Sequence, residues 1–197
     1  MPARLIALEG IDQSGKKTQT RLLVGRLRRE GFKVATISFP IYKTPSGREI
    51  RAFLQARRKL SSQALHMLYS LNRWENKDVI MKKLEASDFL VADRYTPSNL
   101  AYGMARGLDL EWLLALDKGL PVPDAVVVLD VPVPASFKRK AVYRDVHESN
   151  QALLLRVRKA YLRLARKFHW QVVKGTGPSE KVRLEVWKVI EQRRTFH

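Results

Sequence analysis

The 197-residue chain contains no cysteine. Disulfides, thiol catalysis and cysteine-ligated metals are thereby excluded. Histidine is scarce too: His66, His147, His169 and His197 are scattered and form no metal-ligand spacing. No stretch approaches the roughly 18 apolar residues that a bilayer span requires. The opening MPARLIALEGID is too briefly apolar for a secretory signal, so the expected location is the cytosol. Acidic residues are few: 19 Asp and Glu stand against 37 Lys and Arg, a formal net charge of +18. Such an excess favours anionic partners and opposes self-association. Two readings stand side by side, nucleotide or nucleic-acid binding and the solvated basic surface of a heat-adapted protein. A nucleotide site needs only a handful of these cations. Repeats and low-complexity tracts are absent, and the length suits a single domain, 1–197, with a substantial core.

What is present is a glycine-rich loop. Residues 9 to 20 read EGIDQSGKKTQT, directly after the apolar run LIAL. The general pattern is G-x-x-x-x-G-K-[ST], in which backbone N–H groups close around phosphate oxygens and the next helix presents its positive end. Gly10, Gly15 and Lys16 fill three fixed positions, and the cradle comprises Gly10, Ile11, Asp12, Gln13, Ser14, Gly15, Lys16, Lys17 and Thr18. The hydroxyl position holds Lys17, and a hydroxyl comes one residue later, at Thr18. An ammonium has no lone pair, so Lys17 cannot coordinate Mg²⁺. It either neutralises phosphate charge or points to solvent. Asp12 is an acid inside a phosphate cradle; it either accepts a hydrogen bond from a sugar hydroxyl or forms a turn.

Short β-rich runs alternate with helical periods. Strands are expected at 4–8, 34–39, 89–92, 125–130 and 170–173, and helices at 16–29, 46–56, 61–86, 110–116, 148–168 and 179–192. Strands without polar alternation suit a parallel sheet covered on both faces. The alternation predicts an α/β fold whose ligands bind at the strand C-terminal ends. The segment Lys138–Asn150, KRKAVYRDVHESN, is strongly basic and is the expected mobile segment.

LEGIDQSGKKTQ, the Phe39-Pro40 pair, LYSLNRWEN at 68–76 and ADRYTPSNLAY at 92–102 occur in this order through most of the chain. Together they resemble thymidylate kinase. The resemblance implies the three-layer P-loop kinase fold, with a five-stranded parallel sheet flanked by helices. It implies ATP-dependent phosphorylation of dTMP to dTDP with Mg²⁺, and a homodimer that requires neither membrane nor nucleic acid. Residue by residue, Tyr69 matches the aromatic on which thymine stacks, and Arg73 the arginine that hydrogen-bonds the base. Asp93 sits where a strand-end carboxylate binds Mg²⁺, directly or through water. Arg94 matches the arginine gripping the acceptor phosphate, and Phe39, Ser98 and Tyr102 line the nucleoside. An arginine expected two residues beyond Pro40 is replaced by Tyr42, so that contact is either absent or supplied by Lys43 or Arg48. The basic segment near 138–150 matches the lid. Gln13 removes the loop form of the catalytic arginine, which leaves Arg139, Lys140 and Arg144 in the lid, Arg144 preferred for its place before DVHE. His147 matches an aromatic residue near the nucleoside. Gly175, in the Lys174–Gly177 turn, is expected near adenine. Two alternatives remain on the residues alone: a kinase of broader range that also takes dUMP, and a catalytically impaired nucleotide- or nucleic-acid-binding protein.

Overall fold

The computed structural model describes residues 4–139, 147 and 150–194. The elements run β1 (Arg4–Glu9), α1 (Lys16–Arg29), β2 (Val34–Ser38), α2 (Pro45–Leu54), α3 (Ser62–Trp74), α4 (Lys77–Glu85), β3 (Phe89–Asp93), α5 (Thr96–Ala105), α6 (Leu110–Leu116), β4 (Ala125–Asp130), α7 (Val133–Arg139), α8 (Gln151–Phe168), β5 (Gln171–Lys174) and α9 (Ser179–Arg194). The strands form one parallel sheet in the order β2-β3-β1-β4-β5. β1 is central. The chain leaves it for β2 on one flank and later crosses from β3 to β4 on the other. Their C-terminal ends therefore frame the crevice where ligands bind in open α/β sheets.

Both faces are covered, which explains why the strands lack polar alternation. In β1, Leu5 and Ala7 face a core built with α5 and α8, including Leu100, Ala101, Val157 and Tyr161. Ile6 and Leu8 face the opposite core, with Leu23 and Leu27 of α1 and Val186 and Trp187 of α9. Ile50, Phe53 and Leu54 of α2 and Leu65 of α3 make a smaller cluster, against which Tyr69 packs. That cluster roofs one side of the crevice.

All five strands were expected within two residues of their ends. The helix expected at 61–86 is two helices. α3 ends at Trp74, and α4 starts at Lys77, with its backbone turned at Asn76 (φ −109°, ψ 13°). The Asn76 side chain donates to the Asn72 carbonyl (2.7 Å), so a local side-chain bond competes with the helical ladder there. The helix expected from 148 starts at Gln151, capped by the Asn150 side chain on the Leu153 N–H. Ser46–Ala56 becomes Pro45–Leu54, capped by Thr44. α5 and α7 were not anticipated. α5 is buried nearly all round, so it has no amphipathic period, and Pro97 and Gly103 read as breakers. α7 is only seven residues long.

Candidate active site

The loop between β1 and α1 is shaped by backbone. Gly10 has φ 139°, and a Cβ there would lie 2.6 Å from the Leu129 carbonyl oxygen. Only glycine satisfies both constraints. Gly15 (φ 96°) and Gln13 (φ 61°) complete the turn into α1. Lys16 is buried, and its Nζ donates to the carbonyls of Ile11 (2.8 Å) and Gly10 (3.2 Å). Burial, with Arg94 nearby, brings its pKa down to about 8. Lys17 and Thr18 are exposed. Lys17 lines a groove with Thr20, Arg21, Ser38 and Asp93. Asp93, at the end of β3, is half-buried, and its charge acts on Lys16. Its carboxylate makes no hydrogen bond among the described residues. Gly175 closes on the loop from β5: a Cβ there would meet Val131 Cγ2 at 2.5 Å and the Ser14 carbonyl oxygen at 3.4 Å.

Beside the loop lies a cavity of about 90 Å³. Asp12, Phe39, Tyr69, Arg73, Arg94, Ser98, Tyr102 and His147 all line it, together with Pro40, Tyr42, Leu54, Asn72, Tyr95 and Asn99. All eight acceptor-side residues expected from the sequence thus converge. They come from β1, β2 and β3 termini, α3, α5 and the segment before α8. Lys43 and Arg48 are exposed and do not line the cavity. Arg144 and Lys140 lie outside the described residues, as does the Arg139 side chain.

Arg94 adopts φ 66°, a left-handed conformation rare for a residue with a Cβ. Its Nη2 donates to Asp12 Oδ1 (2.5 Å), and its Nη1 to the Gly10 carbonyl (3.1 Å) and Ser98 Oγ (3.2 Å). Tyr102 donates its hydroxyl to the other Asp12 oxygen (2.6 Å). Burial pushes the Asp12 pKa up, but Arg94, Lys16 and the Tyr102 hydroxyl outweigh it and hold the carboxyl well below the usual range. Arg73 is committed differently. Its Nε and Nη2 both bond Asp117, at 2.8 to 3.2 Å, and Ser70 donates to the same carboxylate. The Arg73 and Asp117 side chains are 3% and 7% exposed, against 16% and 22% for Arg94 and Asp12.

His147 is buried against the rings of Tyr102 and Phe53. Burial and Arg106 lower its pKa to about 3, so it is neutral. Arg106 donates to Nδ1 (3.0 Å), which leaves Nε2–H to donate to the Tyr69 hydroxyl (3.2 Å).

Several functional neighbours escaped the sequence reading. Glu9 is 0% exposed. It accepts from the Tyr95 N–H (2.7 Å), the Ser98 hydroxyl (2.6 Å) and the Tyr161 hydroxyl (2.8 Å). Burial pushes its pKa up against these donors. The signal was available: an acid closing a strand buried on both faces needs partners. Asp117, Arg106, Asn99 and His66 carried no such signal. Among the described residues no cluster of three His, Asp or Glu could hold a metal ion. No described helix is long and apolar enough to cross a membrane.

Residues 8–186 match the family model for thymidylate kinase. The chain is 33% identical to human thymidylate kinase, over 92% of this chain and 87% of that one. It is 34% identical to a probable thymidylate kinase of Pyrococcus abyssi, over 97% of each. A solved thymidylate kinase from Candida albicans superimposes with a TM-score of 0.86 at 30% identity, covering 98% of this chain and 93% of its own. With the family model matched over most of the chain and the fold superimposing along nearly all of it, this protein belongs to the thymidylate kinase family.

Proposed function

We propose that the protein transfers the terminal phosphoryl group of ATP to dTMP, giving dTDP. One observation carries the reading: the Gly10 carbonyl accepts from both Lys16 (3.2 Å) and Arg94 (3.1 Å). A donor-phosphate cation and an acceptor-phosphate cation are thus held on one oxygen, as transfer between two phosphates requires. Each gives up this carbonyl when its phosphate arrives. Arg94 then exchanges Asp12 for the acceptor phosphate in a bidentate contact. The freed Asp12 carboxylate accepts from the sugar hydroxyl, beside Tyr102. Tyr69 stacks on the base, and Arg73, steadied by Asp117, offers its remaining Nη1 to a ring carbonyl. The acceptor oxygen is already ionised at neutral pH, so no general base is needed.

Mg²⁺, when bound, would neutralise charge on the donor phosphates. Asp93 fits that ion, having a half-buried carboxylate beside Lys16 and no protein partner among the described residues. Lys17 does not fit it, because an ammonium has no lone pair to donate. Gly175, packed against Ser14, borders the adenine end. The basic segment near 138–150 closes as a lid, with Arg144 supplying the cation that Gln13 cannot, and excludes water as a competing acceptor. A cavity of about 90 Å³ is well under the roughly 300 Å³ of a usual ligand pocket, so acceptor entry has to displace side chains, with His147 at the lid end. Met67 and Leu71, one turn apart and exposed on α3, suit a homodimer contact. A single cytosolic domain is consistent with these features.

The test is ADP release with Mg-ATP against dTMP, dUMP, dCMP and purine deoxynucleoside monophosphates, at 25 °C and at high temperature. Turnover should require a deoxypyrimidine acceptor. No acceptor-dependent turnover at any temperature would end this reading.

A further inference from the structure

Arg94 changes partners in the proposed cycle, yet it stands on an unusual backbone, φ 66°. A left-handed arginine persists only where its surroundings over-determine it. Both peptide groups that flank it are held. On one side the Asp93 carbonyl accepts from the Phe39 N–H (3.1 Å), and the Arg94 N–H donates to the Leu8 carbonyl (3.1 Å). On the other side the Tyr95 N–H donates to Glu9 Oε1 (2.7 Å). The φ and ψ of a residue are the rotations between its two peptide planes, so both planes have to be fixed. Backbone alone fixes the first. The Glu9 side chain fixes the second.

The other Glu9 oxygen works on the guanidinium. Oε2 accepts from the Ser98 hydroxyl (2.6 Å) and the Tyr161 hydroxyl (2.8 Å). Ser98 has one proton and gives it to Glu9, so it meets Arg94 Nη1 with a lone pair (3.2 Å). Nη1 also donates to the Gly10 carbonyl, and Nη2 to Asp12. In the proposed cycle both of those contacts are given up to the phosphate. The Ser98 contact remains, with the Glu9 charge behind it, and that charge also acts on Arg94 directly. Glu9 is 0% exposed and does not line the cavity, so it meets no substrate. Burial pushes its pKa up. A carboxylate is kept here at a cost to stability that a neutral amide of the same shape would avoid.

We propose that Glu9 is a positioning residue for Arg94, which pins the left-handed backbone through the Tyr95 N–H and steadies the guanidinium through Ser98 Oγ, so that Arg94 stays aimed after releasing Asp12. One carboxylate thus sets both the root and the tip of the arginine. It acts on the acceptor phosphate without touching it. The inference rests on Arg94 gripping that phosphate.

The test compares wild type, Glu9→Gln, Glu9→Ala and Arg94→Ala, the last alone and with Glu9→Gln. Readouts are equilibrium dissociation constants for dTMP and for thymidine, which lacks the phosphate, kcat/KM for dTMP, thermal melting, and crystal structures of both Glu9 variants without ligand. Glu9→Gln keeps an oxygen for the Tyr95 N–H but turns an amide NH₂ toward Ser98. Its Tm should hold or rise, since a charge disfavoured by burial is gone. Its Kd for dTMP should rise about tenfold, the worth of one charge-assisted hydrogen bond, with kcat/KM falling in step, while Kd for thymidine stays within about twofold. With Arg94→Ala already present, Glu9→Gln should weaken dTMP no further. Glu9→Ala removes the oxygen that holds Tyr95, so Arg94 should leave the left-handed region in its structure. The proposal is overturned if Glu9→Gln leaves dTMP affinity unchanged, weakens dTMP and thymidine by the same factor, or loses as much in the Arg94→Ala background. Should the protein prove not to phosphorylate dTMP at all, the unliganded Glu9→Ala structure decides independently of turnover: an Arg94 still at φ 66° sinks the inference. Should Glu9→Ala fail to fold, an unaltered affinity of Glu9→Gln for inorganic phosphate sinks it instead.

Discussion

The donor loop and the acceptor cavity meet at a single carbonyl oxygen, that of Gly10, yet they are held in opposite ways. The loop is a backbone device. Its one buried cation, Lys16, rests on carbonyls within six residues of it, and Lys17 and Thr18 are free in solvent. The cavity is a side-chain device. Its arginines are matched to carboxylates far away in the chain, Arg94 to Asp12 and Arg73 to Asp117. Within the cavity a second contrast appears. The Arg94–Asp12 pair is partly open and can be exchanged for a phosphate. The Arg73–Asp117 pair is closed, and in the proposed cycle it stays intact. In the proposed cycle, exposure thus separates a pair that works by breaking from one that works by holding.

The strongest way to break this contrast is at Lys16. Lys16→Met should lower kcat about 10³-fold, the scale of one preorganised charge contact in a transition state, while KM for dTMP changes little in steady-state assays. Arg94→Ala should cost about 2–5 kcal/mol in kcat/KM for dTMP, roughly 30- to 5,000-fold, with ATP binding largely retained by calorimetry. Because Asp12 remains partly solvated, its melting temperature should fall only a few degrees. Asp117→Ala should show the reverse balance. It leaves Arg73 charged and buried, so it should lose about 3–5 kcal/mol of stability, read as a drop in Tm of roughly 6–20 °C for a chain of this size. Equal losses of Tm in the last two variants would erase the distinction between exchangeable and permanent pairs.

Smaller effects follow from titration. The Lys16 pKa in the free protein is lowered to about 8 from 10.5. Below about pH 8 the folded state carries a buried ammonium that costs stability. Between about 8 and 10.5 the unfolded chain binds the extra proton, so stability rises with pH in that window. ATP needs the charged form, so its affinity should fall as pH rises through about 8, with proton uptake on binding. Calorimetry in buffers of different ionisation enthalpy measures that uptake, and Lys16→Met should abolish it. Asp12 has the opposite sign. Its carboxyl is depressed from 3.8, so its contribution to stability is present above about pH 4 and lost as pH falls below it. The smallest expected change is at Lys17. Lys17→Ser should leave kcat within about threefold and keep or raise Mg²⁺ affinity, because a hydroxyl can coordinate where an ammonium cannot. A sharp fall in Mg²⁺ affinity instead would give Lys17 a role of its own.

Much of this was legible in the chain because it is written locally. The loop needs Gly10 and Gly15 at a set spacing, and a strand before and a helix after them. Tyr69 and Arg73 are four residues apart and so share a helical face. What stayed hidden depends on distant residues. The break between α3 and α4 turns on a side-chain bond from Asn76 to Asn72, invisible to apolar periodicity. α5 is hidden because burial on every side removes the amphipathic signal. Asp117 lies 44 residues from Arg73, and nothing in the intervening sequence announces the pair.

By itself, then, the sequence determined the phosphate loop, the parallel sheet that presents it and the absence of thiol chemistry, and through its family resemblance it pointed to side chains that line one cavity. Those are set by backbone conformation, by periodicity and by residue chemistry at short range. Only the tertiary structure decided how each charge is held: Lys16 on carbonyls, Arg94 on a partly open carboxylate, and Arg73 on a closed one. A buried polar group takes whichever partner the fold brings within about 3 Å, and that choice is made by packing between elements far apart in the chain.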